Sequence, residues 1–220
     1  MEYFNFLGLP AVVQDLIVHE IVHNSVPNDR IQLARTCKYM NEAVKRAKPK
    51  KIVKKVTIIW SLQAITFRFD SKRLRSSPSP EFFTNICQIL QQIQVEELIV
   101  TTLLMDIDEA QQYNLFYPLF EATKFVTKLN LHFYDYLHEF AELYNKLEHV
   151  ELMDYSNSIE EFNDLLHYPS KMRLSFEEDY DSSVLENITR KTVNNPLSSL
   201  FLDNCIPVED LQRFLQVIFF

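Results

Sequence analysis

The sequence predicts an α/β chain in two parts, a short N-terminal helical unit followed by an irregular solenoid of strand–helix repeats. Three observations carry that prediction. Between Leu9 and Val44, apolar residues recur at the 3.6-residue spacing of helices buried along one side. After the basic run KRAKPKKIVKK at 45–55 the pattern changes to that of strands. From residue 96 onward, short apolar strands return every 20 to 30 residues, each followed by a polar turn and a helical pattern. The expected organisation is a helical unit at 1–48, a basic linker at 49–55 and a repeat domain at 56–220.

The first helix opens at Leu9-Pro10, where proline is tolerated in a first turn, and runs to about Asn24. Val13, Leu16, Ile17 and Ile21 make its stripe, while Val18 and Val22 are apolar on another side. So small a unit cannot bury every side of such a helix, so part of this surface is expected to meet a partner. SVPNDR at 25–30 makes a turn. RIQLARTCKYMNEAVKRA then continues as helix, with Ile31, Leu33, Ala34, Cys37, Met40 and Val44 as its apolar positions.

Past the basic run, VTIIW (56–60) and AITFRF (64–69) pair as strands around a short turn. Ser79, Pro80 and Glu81 form a helix start: a capping hydroxyl, a first-turn proline and an acid at the positive helix end. Phe82, Phe83, Ile86, Leu90 and Ile93 follow at helical spacing. The repeat strands are EELIV, KLNL, HVEL, KMRL and SLFL; aligned on Leu98, Leu129, Val150, Met172 and Leu200, they lie 31, 21, 22 and 28 residues apart. Their helices begin near 106, 134, 158, 182 and 207, and Ser158-x-x-Glu161 and Ser183-x-x-Glu186 have capping-box spacing. One strand and one helix per 20 to 30 residues is the rhythm of a leucine-rich-repeat solenoid, here irregular and without the asparagine such repeats usually carry. A conventional α/β sheet fits the same pattern.

Composition narrows the function. The single glycine, Gly8, excludes glycine-rich phosphate cradles, the dinucleotide fingerprint and nucleophile elbows, all of which need positive φ or close backbone approach. Cys37, Cys87 and Cys205 are an odd, scattered set that fits free thiols in a reducing compartment. The start MEYFNFLGLP has neither the basic region nor the apolar core of a signal peptide, and no run approaches the roughly 20 apolar residues of a membrane span. The expected location is cytoplasmic or nuclear. Residues 1–56 carry ten Lys/Arg against five Asp/Glu, and residues 57–220 twelve against twenty-five. An acidic chain whose basic run has no interleaved aromatics is not built for nucleic acid, and no cofactor or membrane partner is expected.

HEIVH at 19–23 has the form of a zinc-protease helix, with His19 and His23 one turn apart, Glu20 as general base and Glu42 at third-ligand spacing. Three points oppose a metal site. Only 18 residues precede His19, too few to build the substrate-aligning sheet upstream. Glu42 lies in a helix whose apolar face is already committed. The neighbours Val12 and Leu16 offer no acceptor to fix a ligand tautomer. No catalytic residue and no metal ligand is therefore assigned.

The same stretch fits a longer pattern. Leu9-Pro10 followed by Val13, Ile17, Val18 and Ile21, and then Thr36-Cys37-Lys38-Tyr39-Met40, resembles an F-box, with Met40 where Trp or Phe is usual. With irregular strand–helix repeats behind it, the layout looks like the large F-box families expanded in nematodes. That resemblance implies a substrate receptor of a cullin-based (SCF-type) ubiquitin ligase: a three-helix F-box docks on a Skp-family adaptor and the second domain holds an unknown target protein. It carries adaptor contact to Leu9, Pro10, Val13, Ile17, Ile21, Leu33, Thr36, Cys37 and Met40. A repeat-type interaction module without ligase ties is the other reading. In either, strand alternation turns the central residues Ile99, Asn130, Glu151, Arg173 and Phe201 onto one open ladder, a candidate target-binding face.

Overall fold

A computed structural model describes residues 5–61, 63–102, 109–132, 138–176, 181–204 and 206–219. Three helices form the N-terminal unit: α1 Ala11–Asn24, α2 Pro27–Thr36 and α3 Lys38–Arg46. Pro10 precedes α1 and Pro27 opens α2, positions where the missing N–H leaves no helical hydrogen bond unmade. The second helical stretch divides into two helices, which makes three in all. Cys37 is extended (φ −164°, ψ 169°) and separates α2 from α3, and the Thr36 hydroxyl turns back to donate to the Leu33 carbonyl. The break lets α3 fold against α1. Val18 and Val22 of α1 then meet Met40, Ala43 and Val44 of α3, with Phe6, Leu33, Ala34 and Ala47 at the margin.

The rest of the chain is one mixed sheet with helices. Its elements are β1 Lys51–Ser61, β2 Ala64–Phe69, β3 Lys72–Ser76, α4 Pro80–Gln91, β4 Ile93–Thr102, α5 Glu109–Thr123 and β5 Lys128–His132. They continue as α6 His138–Asn145, β6 Leu152–Asn157, α7 Ile159–Asp164, β7 Lys171–Phe176, α8 Ser183–Lys191, β8 Ser199–Leu202 and α9 Val208–Phe219. The strand order is β3-β2-β1-β4-β5-β6-β7-β8. β1 and β4 to β8 run parallel, and β2 and β3 add an antiparallel edge. From β4 onward each strand lies beside its predecessor, so crossovers of one hand carry all their helices over one face. There they form one continuous core: Phe83, Ile86 and Leu90 of α4, Leu115 and Leu119 of α5, Tyr144 of α6, Phe162 of α7 and Ile188 of α8 pack on Ile58, Leu98, Leu129, Met153, Met172 and Leu174.

Local sequence explains the stops and starts. Ser79 Oγ accepts the Phe82 N–H and Ser158 Oγ accepts the Glu161 N–H, as their spacing predicts. Ser183 does not cap. The Asp181 carboxylate accepts both the Ser183 N–H and its hydroxyl, a carboxylate having more acceptor capacity at a helix start, and those bonds hold the carboxyl below its ordinary range. The helix starts expected near 106 and 134, and Cys205, lie outside the described residues.

Two expectations change, and one further strand appears. Residues 51–55 are not a linker but the first half of β1, paired with β4 from Lys51↔Ile93. Lys54 and Lys55 are both exposed between buried Val53 and Val56, and this break in alternation hides the strand. KRLRS (72–76), which the sequence pattern leaves unassigned, is an edge strand, turned back on β2 through Asp70, which adopts φ 47° as Asp tolerates better than most residues. HVEL is not the third repeat strand. β6 begins at Leu152, and its register pairs Leu129 with Met153 and Met153 with Met172, so Met153 replaces Val150 as the anchor.

The two parts are tied by polar contacts. The buried Arg30 guanidinium donates to the Lys50 carbonyl at 2.7 Å, and Lys124, just past α5, donates to the Asn24 side chain at 3.3 Å.

Candidate functional site

α1 has two apolar sides, and the small core takes only one. Val18 and Val22 are 1% exposed, whereas Leu16 is 65% and Val12 72% exposed. Val13 is exposed as well, and Ile17 and Ile21 are half-buried at the boundary. Leu7, just upstream, adds a further exposed apolar side chain. The result is an unpartnered apolar strip along the outer side of α1, the kind of surface that marks an interaction site.

A residue missed at the sequence level organises the end of that strip. Gln14 is buried on the core side of α1. Its amide donates to the Leu9 carbonyl at 2.7 Å and the Leu7 carbonyl at 3.3 Å, and its oxygen accepts the Tyr39 hydroxyl at 2.5 Å. These bonds hold the Leu9-Pro10 turn against the start of α3, where Cys37 stands exposed. The signal was available: a glutamine one turn before Val18, on the buried side of an apolar helix, needs partners there.

The expected contact residues divide. Pro10, Val13, Thr36 and Cys37 are exposed, and Leu9, Ile17 and Ile21 are half-buried. Met40 is 8% exposed in the core of the unit and Leu33 packs on its margin, so both belong to internal packing rather than to a contact face. The reason is the break at Cys37, which turns α3 so that Met40, Ala43 and Val44 share its inner side.

In HEIVH, the His19 and His23 rings lie 4.4 Å apart, tilted by 43°. His23 Nε2 is 2.8 Å from the Ala47 carbonyl, an acceptor that the neighbours Val12 and Leu16 did not foretell. Glu42 forms an exposed ion pair with Lys45 on its own helix at 3.0 Å. Among the described residues, no three His, Cys, Asp or Glu side chains come together as a metal site.

The second surface is the sheet face opposite the helices. Its central row runs Arg73, Arg68, Thr57, Ile99, Asn130, Asp154, Arg173 and Phe201, each paired with the next across the strands. Four of the five expected ladder residues lie in it. Glu151 does not: it precedes β6, donating its N–H to the Thr127 carbonyl, and Asp154 holds the position instead. The cause is the misplaced strand, since MDYSNS reads as a turn while Asp154 in fact faces outward from β6, at 3.4 Å from the Asn130 amide. Arg173 lies over the Phe201 ring at 5.1 Å, and Lys55 pairs with Glu97 at 2.8 Å one row away. The adjacent row, Arg75, Thr66, Ile59, Thr101, His132, Ser156 and Ser175, is rich in hydroxyl groups.

Among the described residues, no helix is long and apolar enough to cross a membrane. No protein-family model matches the chain, and a search of curated proteins finds no match.

Proposed function

We propose that this chain is a non-catalytic substrate-recognition subunit of a cullin-based (SCF-type) ubiquitin ligase, acting in the cytoplasm or nucleus without a cofactor. Its N-terminal unit is an F-box that docks on a Skp-family adaptor, and its sheet domain, an irregular leucine-rich-like solenoid with sequential strands, holds the target. One observation carries the reading: α1 closes its small core with Val18 and Val22 and leaves Val12, Val13 and Leu16 uncovered beside the Leu9-Pro10 turn. A helix of this kind gains by laying its outer apolar side in a partner's groove. The docking residues are Leu9, Pro10, Val13, Ile17, Ile21, Thr36 and Cys37, joined by Val12 and Leu16.

The test is co-expression with a Skp-family adaptor followed by gel filtration. The full chain elutes with the adaptor, and Leu9→Ala with Pro10→Ala separates the two. Co-elution that survives this double substitution, or a wild-type chain that never co-elutes, removes the ligase reading. The open face, with its aromatic–arginine pair at Phe201 and Arg173, favours a second reading in that event: a protein-interaction module without ligase ties.

A further inference from the structure

The charges of the sheet domain are sharply divided. Residues 51–76, which span β1 to β3, carry seven Lys/Arg and one Asp, while residues 77–220 carry eight Lys/Arg against twenty-four Asp/Glu. On the open face, Arg68 of β2 stands directly opposite Arg73 of β3, and Arg75 stands opposite Thr66. All three arginines are exposed, and among the described residues none lies within ion-pair distance of a carboxylate. Like charges directly opposite each other on a sheet are destabilising. Charged side chains on an edge strand guard against sheet-to-sheet pairing, which accounts for Lys72, Arg73 and Arg75 on β3. Arg68 is on β2, inside the sheet, and edge protection does not account for it. Lys55, the remaining cation of this end of the face, is already neutralised by Glu97.

From this juxtaposition we infer that the β1–β3 end of the open face binds an acidic, Asp/Glu-rich segment of a protein partner. Its carboxylates take the guanidinium groups of Arg68, Arg73 and Arg75, and its polar atoms meet the half-buried Thr101 in the adjacent row. Guanidinium groups match carboxylates in planar, two-point geometry. The negative charge of the remaining domain repels the same segment elsewhere, so the field steers it to this end. The inference rests on reading the open face as the target surface, and it is independent of adaptor docking.

The experiment titrates the full chain with a fluorescein-labelled octaglutamate peptide, its octaglutamine counterpart and an oligothymidylate of the same length, in low and high salt. Octaglutamate binds in low salt and is released as salt rises, octaglutamine does not bind, and oligothymidylate binds more weakly. Arg68→Ala, Arg73→Ala and Arg75→Ala each weaken octaglutamate binding by roughly fivefold, while Lys45→Ala, on the helical unit, leaves it within about twofold. The variants are exposed-site changes, and thermal melts verify that they fold. Absence of octaglutamate binding, wild-type affinity in all three arginine variants, or tighter binding of oligothymidylate overturns the inference, the last by making the patch a nucleic-acid surface. If octaglutamate fails while Arg173→Ala with Phe201→Ala still releases a captured target protein, the open-face reading stands and the acidic partner alone falls.

Discussion

Replacing Gln14 with leucine tests whether the outer strip of α1 is held in place by the buried amide. Leucine keeps most of the side-chain volume, so the change removes hydrogen bonds and leaves little cavity. Three bonds disappear: those to the Leu9 and Leu7 carbonyls and that from the Tyr39 hydroxyl. At about 1 kcal/mol each the gross loss is about 3 kcal/mol, offset in part by burying a more apolar side chain, so the expected cost is about 2 kcal/mol. Local opening reports it better than global unfolding, because the unit is small and can open by itself. A loss of about 2 kcal/mol speeds hydrogen exchange of the α1 and α3 core amides roughly thirtyfold. Tyr39→Phe removes one of the three bonds, and the double variant should show a coupling of about 1 kcal/mol with Gln14→Leu. A cost below about 0.5 kcal/mol, or strictly additive effects, would refute the idea that Gln14 organises the Leu9-Pro10 turn.

Other outcomes follow from the sheet domain. Tyr144 and Tyr168 are almost fully buried, and burial pushes both hydroxyls well above the ordinary tyrosine range. Their folded pKa exceeds the unfolded one, so stability is full below about pH 10 and falls as pH rises beyond it, by roughly 1.4 kcal/mol per pH unit for each tyrosine. Urea melts at pH 9 and 11 measure this fall, and Tyr144→Phe should remove about half of the tyrosine share. Phe162 is fully buried, stacked on Tyr168 at 4.5 Å and edge-on to Phe176 at 5.6 Å. Phe162→Ala should therefore cost about 3–5 kcal/mol in a urea melt, whereas an unchanged midpoint would contradict the packing described. The Lys55–Glu97 pair is partly exposed at 47% and 31%, so a double-mutant cycle should return less than about 1 kcal/mol, shrinking with salt.

What the sequence made legible followed from patterns that packing did not overrule. Ser79 and Ser158 cap as their spacing demands, because a hydroxyl at a helix start has a single local use. The strands around Leu98, Leu129, Met172 and Leu200 were visible because two apolar residues flank a central one that faces out. The outer strip of α1 was legible too, from the surplus of apolar residues on a helix too small a unit to bury them. Other features were hidden by physics that single residues do not display. Lys54 and Lys55 break the alternation of β1, so a strand looked like a linker. Asp154 and Asn157 gave β6 the composition of a turn, so the strand was expected too early and Glu151 was assigned the ladder position that Asp154 holds. Met40 passed for a contact residue because the break at Cys37, a matter of backbone angles, decides which way α3 faces. Gln14 was overlooked because its bonds reach the Leu7 and Leu9 carbonyls and Tyr39, contacts that only the folded unit brings together.

The central claim is that the outer side of α1 docks on a Skp-family adaptor, and a calorimetric titration of the full chain with that adaptor tests it most directly. Leu16 is 65% exposed and outside the core, so Leu16→Asp should leave the unfolding free energy from a urea melt within about 0.5 kcal/mol of wild type while weakening adaptor binding more than tenfold. Wild-type affinity in Leu16→Asp, or no heat of binding from the wild-type chain, would contradict the account.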